Sequence, residues 1–132
     1  MTTPNLRERY LADSTATASP GKLLVMLYDR LVRDLVQGEE ALRAENRQQS
    51  SDSLLHAQEI ILELRTTLTI DGWTGAPGLA ALYGFLLTEL IGANIRRDPD
   101  RVAACREIVE PLRDAWREAA SIAAAETATT GR

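Results

Sequence analysis

Large apolar residues recur in steps of three and four along four separate stretches, the period of an amphipathic helix rather than a strand. In the first stretch Leu24, Leu27, Tyr28, Leu31, Leu35 and Leu42 fall on one face. Ser19 is placed to cap it, and Pro20 suits the first helical position, where a missing N–H leaves no bond unmade. Glu45-Asn46 is its expected end. The second stretch is predicted to start in the capping cluster Ser50-Ser51-Asp52-Ser53 and carries Leu54, Ala57, Ile61, Leu64 and Leu68. Residues 71–77 are dense in turn formers and predict a loop. The third stretch carries Leu79, Leu82, Tyr83, Leu86, Leu87 and Leu90, and Arg97-Asp98-Pro99 ends it and opens the fourth. The fourth carries Val102, Cys105, Val109, Leu112, Trp116 and Ala119. Pro111 falls inside it, where a proline costs about 3 kcal/mol, yet the periodicity continues past it and predicts a kink rather than a stop.

Four such helices with short joints predict an all-α fold, an antiparallel four-helix bundle with a short N-terminal cap segment. Residues 1–18 read as the flexible cap, 19–122 as the bundle, and 123–132 as a disordered tail with nothing large to bury.

Composition supports helix: Ala and Leu together number 38 against 12 Val and Ile. The 132 residues suffice for one domain, and a net charge of −4 argues against nucleic acid or an anionic membrane as partner. No apolar run reads as long enough to span a bilayer and no secretory signal is legible, so the expected location is the cytoplasm.

Catalytic chemistry finds no support. His56 is the only histidine; His56-x-x-Glu59 has no second copy with which to build a metal site, and it reads as an ordinary exposed helix histidine. Cys105, on the apolar stripe, reads as a buried thiol rather than a nucleophile. There is no phosphate-binding glycine loop and no nucleophile elbow. The expectation is a protein that is not an enzyme and needs no cofactor or metal.

What is unusual is apolar character outside the core stripes. Val25, Val32 and Val36 line up about 100° from the core face of the first helix. Leu55 and Leu62 stand well off the core face of the second, and the third has a small-residue line, Ala80, Gly84, Thr88 and Gly92. Two readings stay open at this point. Such residues are ordinary packing contacts, or they form outer apolar grooves for a partner segment.

The motif Tyr10, Thr17-Ala18-Ser19-Pro20 and Lys22-Leu23-Leu24-Val25-Met26-Leu27-Tyr28-Asp29 resembles the N-terminal signature of the flagellar secretion chaperone FliS family. Residues 57–64, Leu82-Tyr83, Leu90 with Ala93-Asn94, and Leu112-Arg113 with Ala115-Trp116 continue the resemblance in order, over about residues 10–118. Residues 72–77 and Pro111 depart from it, and Trp73 has no counterpart role. The resemblance implies a cytoplasmic chaperone that binds the C-terminal segment of unpolymerised flagellin, prevents premature polymerisation and assists delivery to the flagellar export apparatus. The client-binding residues expected are Tyr10, Val25, Val32, Val36, Leu55, Leu62, Gly84 and Gly92, with Tyr10 either a removable cover or a simple anchor. The alternative is a self-associating regulator that uses the same stripes as a homodimer interface.

Overall fold

The computed structural model describes residues 20–68 and 75–130. Four helices follow one another: α1 Pro20–Arg43, α2 Arg47–Thr67, α3 Ala76–Arg96 and α4 Pro99–Thr130. No strand occurs among the described residues. The expected cap segment and the stretch containing Trp73 lie outside them.

The joints are short because each helix end satisfies its own backbone. Glu45 takes a left-handed conformation (φ 57°) that stops α1. Asn46 then caps α2, its side chain accepting a hydrogen bond from the Gln49 N–H at 3.1 Å. The start of α2 is therefore four residues earlier than the serine cluster suggests. Ser50 and Ser53 lie buried within the helix instead, and the Ser50 hydroxyl donates to the Arg47 carbonyl at 3.1 Å. Serine in a helix can bond back to the preceding turn, so it marks a cap only where the backbone has left the helix. Between α3 and α4 the reversal takes two residues. Arg97 is left-handed (φ 55°), and the Asp98 carboxylate accepts from the N–H groups of Asp100 and Arg101. The loop expected over residues 71–77 ends earlier than its composition suggests: Ala76 and Pro77 already belong to the first turn of α3, which tolerates proline.

Paired residues run in opposite directions along neighbouring helices, so the bundle is antiparallel. Asp29, Glu39 and Arg43 of α1 meet Arg117, Arg106 and Asp100 of α4 in turn. Asp34 and Gly38 of α1 meet His56 and Leu54 of α2. Glu89 of α3 pairs with Arg101 of α4. Each helix packs on its two neighbours, and α1 makes the closest approach, to both α2 and α4. Gly38 permits this, because a Cβ there would come within 2.8 Å of the Leu54 side chain.

The core runs along the shared axis. Leu27, Leu31 and Leu35 meet Leu54, Ile60, Ile61 and Leu64, with Leu86 and Leu90 from α3 and Val102 and Val109 from α4. Tyr28 and Tyr83 reach across the diagonal, their hydroxyls 2.6 Å apart, and Trp116 leans on Tyr28 with ring centroids 6.4 Å apart. Two buried hydroxyls that satisfy each other fix the register of α1 against α3.

α4 continues unbroken through Pro111, which is exposed. It also continues as helix over residues 123–130, where the sequence suggested a disordered tail. The side chains of 121–126 are exposed, and the alanine-rich composition carries the helix by propensity.

Candidate functional site: an uncharged outward face

Val25, Val32 and Val36 do not form an outer groove. They interleave with Asp29, Glu39 and Arg43 at steps of three and four, so they share the face of α1 that meets α4. Val32 is buried in the core and Val36 packs against it. A helix with two packed neighbours needs two apolar faces, and the second stripe of α1 is that second face. Above it, Arg106 bonds Glu39 at 3.1 Å, and Arg117 and Arg113 approach Asp29 at 2.6 and 3.8 Å. The arginine side of α4 is thus the lacing of the α1–α4 seam.

Leu55 and Leu62 are placed differently: each has about half its surface in solvent, 51% and 50%. They are seven residues apart and share the outer face of α2 with Asp52, Glu59 and Thr66. Since His56 points to α1, the 100° step puts the two leucines on the side of that outer face nearer α3.

α3 is the unusual helix. Tyr83, Leu86, Leu90 and Ala93 face the core. On the opposite side lie Ala81, Gly84, Phe85, Thr88, Ile91, Gly92 and Ile95, with no charge until the exposed Arg96 at the end of the helix. Phe85 is 50% exposed, Ile91 46% and Ile95 75%. Gly84 opens onto empty space, with nothing within 4 Å of where a Cβ would stand. Thr88 turns its hydroxyl inward to the Gly84 carbonyl at 3.1 Å, leaving its methyl outward. Small residues thus form a shallow trough between Phe85 on the α4 side and Ile91 on the α2 side. At its far end Gly92 is covered by the guanidinium of Arg101.

Contrary to the sequence reading, α3 is long and apolar enough to cross a membrane by length and composition, and 22% of its most apolar stretch is buried inside the bundle. A surface helix ordinarily carries charge opposite its core stripe. Large exposed apolar patches of this kind are features of interaction surfaces.

Of the expected site residues, Leu55, Leu62 and Gly84 are on open outer faces, Gly92 lies under Arg101, Val25 is half-buried, and Tyr10 lies outside the described residues. Phe85 and Ile95 were missed. The signal was present: no charged residue occurs between Asp71 and Glu89.

His56 is not an exposed histidine. It is half-buried against the buried carboxylate of Asp34, to which its Nδ1 is hydrogen-bonded, with Arg30 3.6 Å from the other carboxylate oxygen. Burial pushes the Asp34 carboxyl above the ordinary carboxylate range, opposed by His56 and by the charges of Arg30 and Arg33. The pair ties α1 to α2. Cys105 is buried, and desolvation pushes its thiol up to about 12, which removes it as a nucleophile near neutral pH. No group of three metal-ligating side chains occurs among the described residues.

A family model described as flagellar protein FliS matches residues 3–123. The chain belongs to the FliS family of flagellar secretion chaperones. It is 32% identical to the flagellar secretion chaperone FliS of Bacillus subtilis over 110 residues, 83% of this chain and 82% of the relative. It is 32% identical to the Vibrio cholerae chaperone of that name over 102 residues, 76% of this chain and 75% of the relative. The Escherichia coli chaperone is 31% identical over 104 residues, 77% of this chain and 76% of the relative. FliS is a chaperone family, not an enzyme family, which agrees with the lack of catalytic residues in the sequence. The bundle is accordingly a flagellar export chaperone.

Proposed function

We propose that this chain is a cytoplasmic chaperone that holds the disordered C-terminal segment of flagellin on the outward faces of α2 and α3. Leu55 and Leu62, the trough at Gly84, and Phe85, Ile91 and Ile95 form the client surface. The segment gains helix as it docks, is kept from premature polymerisation, and is released to the flagellar export apparatus. The observation that carries this reading is the uncharged outward face of α3, which the bundle itself leaves uncovered. A disordered client suits it, because a flexible segment can follow two helices and wrap a surface that no single rigid helix would cover. Burial of apolar area, at about 25 cal/mol per Å2, offsets the entropy lost when the segment orders. Val32 has no part in the surface while it sits in the core.

Calorimetry against the C-terminal segment of flagellin from the same organism, with circular dichroism of the mixture, tests the proposal. One-to-one binding with added helix and a negative heat-capacity change is the expected result. Absence of binding at tens of micromolar, together with a stable dimer in sedimentation, would replace it with self-association through the same face.

A further inference from the structure

The trough on α3 has a charge at one end only. Arg101 reaches from α4 across Gly92, and its guanidinium occupies the space that any side chain at 92 would fill. Its Nε faces the Glu89 carboxylate at 3.6 Å, an ion pair with both side chains about one-third exposed. At 3.6 Å this is an ion pair and not a hydrogen bond. Glu89 thus lies beside one edge of the fork, and the partly exposed guanidinium stands at the end of the face where Arg96 is also exposed. Arginine presents paired N–H donors in a plane that matches a carboxylate.

We propose that Arg101 is the charged anchor of this surface and reads one carboxylate on a client helix lying in the α3 trough. The occupant is therefore an amphipathic helix whose apolar side covers Gly84, Phe85, Ile91 and Ile95, with an acidic residue placed beside Gly92. The inference rests on the reading of the α3 face as the client surface. Apolar contact alone sets neither direction nor register, because a greasy helix slides along a smooth trough with little change in energy. One ion pair at one end distinguishes the two directions of the client and fixes where it stops. Gly92 is part of the device, since only glycine leaves room for the guanidinium to lie flat over α3. Glu89 acts as a positioning residue, orienting Arg101 without touching the client.

The test is a set of calorimetric titrations with the flagellin C-terminal segment, its acidic residues neutralised one at a time. The chaperone is wild type, Arg101→Gln, Gly92→Ala or Phe85→Ser/Ile95→Ser. Gly92→Ala keeps the charge but displaces the guanidinium. Arg101→Gln and Gly92→Ala are each expected to weaken binding about two- to fivefold at low salt, the range of a partly exposed ion pair. Neutralising one particular acid should weaken wild type equally and Arg101→Gln no further, and the effect should vanish at high salt. Arg101→Gln binding as tightly as wild type, or acid effects that multiply with it at every position, would overturn the anchor. If Phe85→Ser/Ile95→Ser still loses affinity in that case, the client face survives the loss of its anchor. If Phe85→Ser/Ile95→Ser binds normally, the face and the anchor fall together.

Discussion

The decisive single residues here are the buried polar ones, because each constrains the bundle by what it must touch. The Tyr28 and Tyr83 hydroxyls have each other across the core, so Tyr28→Phe strands a buried hydroxyl on Tyr83. That variant should lose about 1–2 kcal/mol in urea unfolding, and Tyr28→Phe/Tyr83→Phe should lose less than the sum of the two single changes. Cys105 gives a pH dependence with a definite sign. Its thiol titrates near 9.0 when exposed and is pushed up to about 12 in the fold, so folding favours the protonated form. The thiol's contribution is constant below pH 8 and is lost as pH rises from 9 towards 12, at most about 1.4 kcal/mol per pH unit. Tyr28 and Tyr83, also raised by burial, add to the alkaline loss. Urea titrations between pH 8 and 11 should show a shallower decline in Cys105→Ala than in wild type. At pH 8 the native protein should resist thiol reagents until it unfolds.

Helices of this bundle differ in how much of their surface the others use, and two glycines report it in opposite ways. Gly38 sits where α1 touches α2, so Gly38→Ala forces a Cβ against Leu54 and should destabilise by about 1–3 kcal/mol despite its better helix propensity. Gly84 faces open space, so Gly84→Ala should be neutral or stabilise α3 by up to about 1 kcal/mol. A bulkier Gly84→Leu would fill the trough and weaken client binding without unfolding. Pro111 is exposed within α4 and denies that helix one backbone bond; Pro111→Ala should raise stability by about 1–3 kcal/mol, measured by thermal unfolding. All four helices were legible as sequence periodicity, since Leu and Ala at three–four spacing leave little choice of element. Their ends were less so. Asn46 caps α2 in place of the serines because the left-handed turn at Glu45 decides where the chain leaves α1, and no hydrophobic pattern encodes that turn. Past residue 122, helix propensity alone carries α4 where a reading based on burial predicts a tail.

At the scale of the whole molecule, the sequence showed that apolar residues exceed what one core stripe per helix requires. It did not show which of them face a neighbour. A wheel drawn for one helix ignores that α1 has two packed neighbours, so its valines looked like an outer groove and are the α4 contact. Leu55 and Leu62 have the same spacing and are exposed, because among the described residues the outer face of α2 meets no other helix. The α3 face was half legible: its small residues stand out at four-residue spacing, whereas Phe85 and Ile95 are marked by the absence of charge around them and not by spacing. Among the described residues, α3 is covered by α2 and α4 on its flanks and by no other helix outside. The central claim is that this uncovered face is the client surface of the chaperone. Its most direct test is the affinity of Phe85→Ser/Ile95→Ser for the flagellin C-terminal segment, with helix content and melting temperature measured alongside. An unchanged fold and a loss of affinity of about a hundredfold are expected, the order for two exposed anchors at the centre of an apolar interface. An unchanged affinity in a folded variant would contradict it and move the client elsewhere on the bundle.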